Sequence, residues 1–122
     1  MSSTEPRPLR VLFLCHYNRR RSATAERVFC KDPRLDVRSA GTSGEARVAV
    51  NAHMLAWADI IFIMDADQRA TLAKRFAGDP ALERIVSLEI ADDYPFLDPE
   101  LVRLLQDRAT PHLDKARSAL LP

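Results

Sequence analysis

The sequence predicts a three-layer α/β sandwich, in which helices cover both faces of a four-stranded parallel sheet. Short apolar runs recur along the chain, such as VLFL at 11–14 and IIFIM at 60–64, and both are too short for a helix. Strands that are buried on both faces and alternate with helices are typical of parallel α/β sheets. The chain has 122 residues, of which 47% are hydrophobic, so we expect one domain around a substantial core.

The first eight residues, MSSTEPRP, are polar and include two prolines. We therefore expect a flexible arm over 1–8 and a single domain over 9–122. The sequence shows no apolar stretch of signal-peptide or membrane-span length. Cys15 and Cys30 are the two cysteines, too few for a disulfide framework, and we expect a cytoplasmic protein with reduced thiols.

The first half of the chain is predicted to contain two strands and two helices. In order, these elements are a strand over 9–15, a loop over 16–21, a helix over 22–31, a strand over 35–39 and a helix over 48–57. The first helix is amphipathic, with Ala25 on its apolar side and Glu26 facing water. Pro33 follows Asp32 and ends that helix.

The second half repeats the alternation and ends in a long helical segment. Its elements are a strand over 60–64, a helix over 68–76, a strand over 84–88, a loop over 89–97 and a helix from 99 onward. Asp65 or Asp67 can cap the third helix, and Asp98 followed by Pro99 is a strong start for the last one. The pair Thr110-Pro111 is predicted to interrupt the last helix.

Polar side chains follow the predicted strands at the points where the strands end. Cys15 ends the first strand, Ser39 ends the second, Asp65 follows the third, and the loop over 89–97 follows the fourth. Ligands of open parallel sheets bind beyond the carboxyl ends of the strands, near a switch in strand order. We therefore expect these groups to meet at one edge of the sheet.

The loop after Cys15 combines a thiol with the parts of an anion site. Its backbone N–H groups can surround a tetrahedral oxyanion, and the Arg21 guanidinium can bind two of the oxygens. A helix N-terminus and a nearby Arg favour the thiolate form of Cys15, and Ser22 can donate to that thiolate or cap the helix. Asn18 tolerates the left-handed backbone that a tight loop needs. The predicted phosphate-binding loop consists of His16, Tyr17, Asn18, Arg19, Arg20, Arg21 and Ser22.

A thiolate held against a bound phosphate is placed for in-line attack on phosphorus. The alternative is a buried cysteine that ends a core strand beside surface arginines. Three adjacent arginines repel one another, which favours the anion site.

The motifs in the first half resemble those of the low-molecular-weight protein tyrosine phosphatases. The resemblance rests on Cys15-x5-Arg21-Ser22 after VLFLC, on Asn18, on Ala25-Glu26, and on Ser39-Ala40-Gly41-Thr42. The run DIIFIMD at 59–65 is also similar, and the late Asp-Asp-Tyr segment looks like a compact bacterial branch. The resemblance implies a flavodoxin-like fold and a cytoplasmic, cysteine-dependent hydrolase of phosphotyrosine-type monoesters that needs no cofactor and no metal.

The resemblance also implies roles for single residues. Cys15 is the nucleophile, Arg21 holds the phosphoryl group, and Asn18 and Ser39 support the loop. The family's general acid stands in a late Asp-Pro-Tyr motif, whose place is taken here by Asp92-Asp93-Tyr94. Alignment on Ile90 and Tyr94 puts Asp92 in the position of the acid. The alternatives are Asp93 and Asp98, of which Asp98 is also explained by helix capping.

This loop departs from the usual family pattern at its mouth. Tyr17 stands where Gly is usual, Arg20 where a second Cys is frequent, and His16 and Arg19 where apolar residues are frequent. If these side chains line the mouth, they favour an anionic or non-peptide phosphate over a flat phenol. Cys30 is expected to be a small buried residue of the first helix.

The expected partner is a phosphorylated protein or a small phosphomonoester. A net charge of +1 argues against nucleic acid and membrane surfaces. Two other functions stay open: a non-catalytic phosphate-binding module and a thiol-dependent arsenate reductase. The reductase needs further cysteines to carry its oxidation away, and only Cys30 is present besides Cys15.

Overall fold

A computed structural model of the chain describes residues 7–120. The elements are β1 (Leu9–Cys15), α1 (Arg21–Phe29), β2 (Leu35–Gly41), α2 (Ala52–Trp57), β3 (Ile60–Ile63), α3 (Ala66–Arg75), a 3₁₀ turn (Pro80–Arg84), β4 (Ile85–Ser87) and α4 (Pro99–Ser118). Most of the predicted arm, residues 1–6, lies outside the described residues. Arg7 is described, and its guanidinium donates to both carboxylate oxygens of Asp59 at 2.7 and 2.8 Å.

The four strands form one parallel sheet in the order β2-β1-β3-β4, which confirms the predicted fold class. β1 lies inside the sheet, paired with β2 on one side and β3 on the other. The chain adds β2 on one side of β1 and then returns to add β3 on the other, so strand order reverses at β1. Cys15 ends β1 at this reversal, the place where open α/β sheets bind ligands.

Alternate residues of β1 enter two separate hydrophobic layers, as expected for a strand covered on both faces. Phe13 belongs to the layer under α1 and α4, where its ring stacks on Phe29 at 5.4 Å and on Phe62 at 5.1 Å between centroids. Leu12 and Leu14 belong to the layer under α2 and α3. Because β1 is packed on both sides, its carboxyl end is a rigid platform for Cys15.

The predicted break in α4 is wrong, since the helix runs through Pro111 to Ser118. A buried stripe continues past the proline, while Pro111 itself is exposed. The proline removes one backbone hydrogen bond on the outer face, and the packing of the inner face holds the helix together. The stripe consists of Leu101, Leu105, Ala109 and Leu113.

The second helix is shorter than predicted, because residues 48–50 run beside the end of β2. Gly41 N–H donates to the Val48 carbonyl at 2.7 Å, and Val50 N–H donates to the Gly41 carbonyl at 2.9 Å. Asn51 then caps α2 by accepting from Met54 N–H at 2.9 Å. β2 correspondingly extends to Gly41, two residues beyond the predicted end.

The helices α3 and α4 begin at capping residues that the sequence predicts. Asp65 is the cap of α3 and forms a reciprocal capping box with Gln68. Asp98 caps α4, with Pro99 at the first helical position as predicted.

Within residues 7–120, no helix has the length and apolar character needed to cross a membrane.

Candidate active site

Cys15 lies at the base of a cavity of about 290 Å³ at the carboxyl edge of the sheet. Its side chain is buried, with 3% of the residue surface exposed. The cavity is lined by Cys15, His16, Tyr17, Arg19, Arg20, Arg21, Glu45 and Asp92. The predicted nucleophile, most of the predicted loop and the first choice of acid are thus brought together.

The Cys15 sulfur lies at the N-terminus of α1. Ser22 Oγ is 3.0 Å from Sγ, and the backbone N–H of Ser22 donates to Sγ at 3.4 Å. Arg20, the cap residue of α1, makes no side-chain hydrogen bond to the helix. The first turn therefore presents its N–H groups to the sulfur and to any anion beside it.

Asn18 holds the loop together from inside. It is fully buried and adopts the left-handed backbone with φ of 58°, as the sequence predicted for this position. Its Nδ2 donates to Ser22 Oγ at 2.8 Å and to Ser39 Oγ at 2.9 Å. Ser39 in turn donates to the Glu26 carboxylate. This network joins the loop, β2 and α1 at the point where Ser22 meets the sulfur.

Glu26 is half-buried and bonded to Ser39, although the helical pattern predicts it on the water-facing side of α1. The pattern gives only the angle of a side chain around its helix. It cannot show that the end of β2 comes close enough to accept this carboxylate.

The carbonyl groups of the loop are bonded to the segment between β2 and α2. Ser43 N–H donates to the His16 carbonyl, and Arg47 donates to the Tyr17 and Asn18 carbonyls, at 2.9–3.0 Å. The N–H groups of residues 17–20 have no acceptor among residues 7–120. The loop thus has its acceptors satisfied and its donors free, as an oxyanion site requires.

Arg21 is fixed at the floor of the cavity, with 3% of its surface exposed. Its Nη1 donates to the Ile90 carbonyl at 2.8 Å and to Asp65 Oδ2 at 3.1 Å. Its Nε is buried without a hydrogen-bond partner among the described residues. One side of the guanidinium is thus anchored while Nε–H stays available to an anion. Asp65 was predicted at this edge, but only as a helix cap.

The three candidate acids occupy different places. Asp92 lines the cavity, and its Oδ1 lies 3.6 Å from Arg21 Nε and 3.9 Å from Arg20 Nε. Asp98 is occupied as the α4 cap, accepting from Glu100 N–H at 2.8 Å. Asp93 is exposed and does not line the cavity. Asp92 alone of the three lines the cavity that holds Cys15 and Arg21.

The mouth of the cavity is both aromatic and charged. The rings of His16 and Tyr17 meet edge to face, 4.3 Å apart. Arg19 and Arg20 are exposed at the rim. Glu45, which the sequence did not single out, adds an acid to the same wall. Little in the sequence indicates its role, because it lies after Thr42, outside every motif.

Cys30 and Trp57 lie outside the lining of this cavity. Cys30 is exposed, so its prediction as a buried residue is wrong: it follows the last turn of α1 and lies off the apolar stripe. Trp57 is packed against the core, with the Arg38 guanidinium 4.2 Å above its ring. Within residues 7–120, no cluster of three or more His, Cys, Asp or Glu side chains is arranged to hold a metal ion.

Comparison with known proteins found similarity in structure alone, since no family model and no curated protein sequence matches the chain. The YwlE arginine phosphatase from Geobacillus stearothermophilus superimposes with a TM-score of 0.64 at 21% identity, covering 93% of both chains. The tyrosine phosphatase Wzb from Escherichia coli K30, solved with phosphate, gives 0.69 at 15% identity, covering 87% of this chain and 96% of its own. SP-PTP, the low-molecular-weight protein tyrosine phosphatase from Streptococcus pyogenes, gives 0.72 at 17% identity, covering 88% and 92%. The chain thus has the fold of these enzymes over nearly its whole length.

Proposed function

We propose that this protein is a low-molecular-weight protein tyrosine phosphatase that hydrolyses phosphomonoesters through a cysteinyl-phosphate intermediate. The shared fold supports this proposal, as do the activities named for the similar structures. The observation that carries it is one cavity that holds the Cys15 sulfur, the anchored Arg21 guanidinium and the Asp92 carboxylate. Both cysteines are free, which fits a reducing, cytoplasmic setting.

In the first step, the Cys15 thiolate attacks phosphorus and the bond from phosphorus to the ester oxygen breaks. The free N–H groups of residues 17–20 and Arg21 Nε–H bind the equatorial oxygens, where charge must be stabilised. Asp92 gives its proton to the leaving oxygen, so that an alcohol or phenol departs. The products of this step are the leaving group and the phosphorylated Cys15.

In the second step, the Asp92 carboxylate takes a proton from water, and the water oxygen attacks phosphorus. The S–P bond breaks, inorganic phosphate forms, and the thiolate is restored. Ser22 Oγ, at 3.0 Å from the sulfur, donates to the departing thiolate. This hydrogen bond makes the sulfur a better leaving group.

The aromatic wall supports a phenolic substrate. The polar side chains of the mouth alone favour a non-peptide phosphate, but the His16 and Tyr17 rings also line the cavity and offer an edge-to-face pair to a flat ring. We give this aromatic contact the greater weight. Phosphotyrosine-type monoesters are therefore the proposed substrate class. Hydrolysis of phosphoarginine with higher kcat/KM than phosphotyrosine would replace this class with the one named for YwlE.

The test is hydrolysis of p-nitrophenyl phosphate by the wild type, Cys15→Ser and Cys30→Ser. Cys15→Ser is expected to lose at least about 10⁴-fold in kcat, as nucleophile variants do, while still binding phosphate. Cys30→Ser is the matched control and should keep full activity, because Cys30 lies outside the cavity. Equal activity of all three proteins would remove Cys15 as the nucleophile.

The same assay distinguishes the proposed hydrolase from the two other functions. A wild type that binds phosphate but hydrolyses no ester would be a non-catalytic phosphate-binding module. An arsenate reductase would require a second thiol beside Cys15, and the lining of the cavity contains no second cysteine. Turnover of p-nitrophenyl phosphate without an added reductant would favour the hydrolase over the arsenate reductase.

A further inference from the structure

A second cavity, of about 530 Å³, adjoins the first along the surface of α1. Arg19 lines both cavities, so a ligand can extend from one into the other. Residues 23, 26, 27 and 30 form one face of the helical segment, since they are three or four positions apart. The lining consists of Arg19, Ala23, Glu26, Arg27, Cys30, Arg47 and Phe96.

The second cavity carries excess positive charge. Arg19 and Arg27 form no ion pair with any of residues 7–120. Arg47 is held in place because its Nε donates to the Asn18 carbonyl. The one acid in the lining, Glu26, already accepts a hydrogen bond from Ser39. Three guanidinium groups against one carboxylate make an acidic ligand the complementary one.

An exposed aromatic ring completes the surface. Tyr17, Phe96 and Leu97 are the large hydrophobic residues that are exposed among residues 7–120. Tyr17 lines the first cavity and Phe96 the second. Leu97 N–H donates to Thr24 Oγ1 at 2.9 Å, which ties the Phe96 loop to α1. Each cavity thus offers one exposed aromatic ring to a ligand that spans both.

We propose that the second cavity binds the polypeptide that flanks the phosphorylated residue, and that it prefers acidic sequence with an apolar side chain placed on Phe96. This inference rests on the proposed function and names its substrate as a phosphoprotein. A small phosphomonoester fills the first cavity alone. A peptide can use both cavities, because successive residues of an extended chain advance by about 3.3–3.6 Å.

The first test compares two phosphotyrosine peptides, one flanked on both sides by Asp, Glu and Leu, the other by Lys and Leu. The wild type should hydrolyse the acidic peptide with the higher kcat/KM. Arg27→Glu should reduce the acidic-to-basic ratio of kcat/KM by roughly fivefold or more, by the energy of one charge pair in water. Its hydrolysis of p-nitrophenyl phosphate should be unchanged. Arg69→Glu, a charge reversal at another exposed arginine, on α3, is the control and should leave the ratio unchanged.

The second test locates the bound peptide without turnover. In Cys15→Ser, Cys30 is the remaining cysteine, and it is an exposed part of the second cavity. The acidic phosphopeptide should slow alkylation of Cys30 by a maleimide several-fold. Inorganic phosphate, which occupies the first cavity alone, should leave the rate of alkylation unchanged.

An acidic-to-basic ratio that Arg27→Glu does not alter would overturn the inference, and so would unchanged alkylation of Cys30 in the presence of the peptide. Failure of the proposed function looks different, because the wild type would then hydrolyse neither peptide nor p-nitrophenyl phosphate. In that event the alkylation of Cys30 still decides whether the second cavity binds the peptide.

Discussion

The Ser22 side chain contacts three groups of the site, one of which is the Cys15 sulfur. Its hydroxyl lies 3.0 Å from the Cys15 sulfur, accepts from Asn18 Nδ2 at 2.8 Å and lies 3.2 Å from the Ala40 carbonyl. A hydroxyl has one proton, so Ser22 can donate to the sulfur or to the carbonyl. A negatively charged sulfur attracts that proton more strongly than a neutral carbonyl does, so Ser22 donates to the sulfur when the thiolate departs from phosphorus.

Ser22→Ala is therefore expected to slow the breakdown of the cysteinyl-phosphate. Hydrogen bonds to charged groups contribute about 1.5–3 kcal/mol, which corresponds to a loss of roughly 10- to 100-fold in that step. Rapid-quench kinetics should show a larger burst of released phenol, followed by slower turnover. A fall in the burst rate with unchanged turnover would place the role of Ser22 in the first step instead.

Asp92→Asn and Asp93→Asn form a matched pair for the general acid. Asp92→Asn should reduce kcat on phenyl phosphate by about 10²- to 10⁴-fold, and much less on p-nitrophenyl phosphate, whose leaving group needs little protonation. Asp93→Asn should stay near wild type on both substrates. The opposite result for the two variants would identify Asp93 as the acid.

Single residues of the site could be predicted only where sequence distance fixes spatial distance. Cys15, Arg21 and Ser22 lie within one strand-loop-helix unit, so local spacing was sufficient to bring them together. The contacts of Arg21 with Asp65 and the Ile90 carbonyl join three separate strand ends. Only the arrangement of β1, β3 and β4 in the sheet brings those groups within reach.

At the scale of elements, the anion loop depends on the strand beside it as much as on its own residues. Gly41, the last residue of β2, passes close to the loop. A Cβ at this position would lie 2.6 Å from the His16 carbonyl and 3.1 Å from the Asn18 nitrogen. Both atoms are backbone and cannot move without displacing the loop.

Gly41→Ala is accordingly expected to displace the loop, lowering phosphate affinity and activity and destabilising the fold by about 1–3 kcal/mol. Gly44→Ala is its control, because a Cβ there meets nothing within 4 Å. Phosphate titration and denaturant unfolding of both variants measure the effect. Wild-type affinity in Gly41→Ala would show that the loop adjusts freely.

The elements themselves were predictable where apolar period and caps agree, as at β1 and at the start of α4. The sequence pattern failed at residues 48–50, which look helical but run beside β2. It failed again at Pro111, where the buried stripe of α4 outweighs one missing hydrogen bond. In both places a tertiary contact decides between conformations that local sequence leaves close in energy.

At the scale of the whole molecule, one ion pair ties the N-terminal segment to the amino end of β3, at the edge of the sheet opposite the cavity. Asp59, which precedes β3, accepts from the Arg7 guanidinium and from Arg10 N–H of β1 at 2.8 Å. The hydrogen bonds from Arg7 hold the pKa of Asp59 below its usual value, aided by the bond from Arg10 and opposed by partial burial. Asp59 therefore stabilises the fold in its ionised form.

Because the pKa of Asp59 is lower in the folded state, this carboxylate stabilises the fold more at neutral pH than in acid. The contribution of Asp59 is complete above the usual carboxyl pKa of about 3.9 and is lost as the pH falls through the lower value of the folded state. Asp59→Asn should thus reduce the free energy of unfolding at pH 7, with the difference from wild type shrinking below about pH 4. Asp36→Asn, which removes an exposed strand carboxylate, should show no such change. Urea unfolding at pH 7 and pH 3 measures both, and a difference that stays constant with pH would contradict the ion pair.

The position of Arg19 between the two cavities has a consequence for inhibitor design. A non-hydrolysable phosphonate that occupies the first cavity can carry a short acidic arm across Arg19 towards Phe96. Once the phosphonate is bound, the short linker holds the acidic arm beside the second cavity at a high effective concentration. The arm contacts Arg27 and Phe96, which lie outside the phosphate-binding loop, so it can add affinity that the phosphonate alone does not provide.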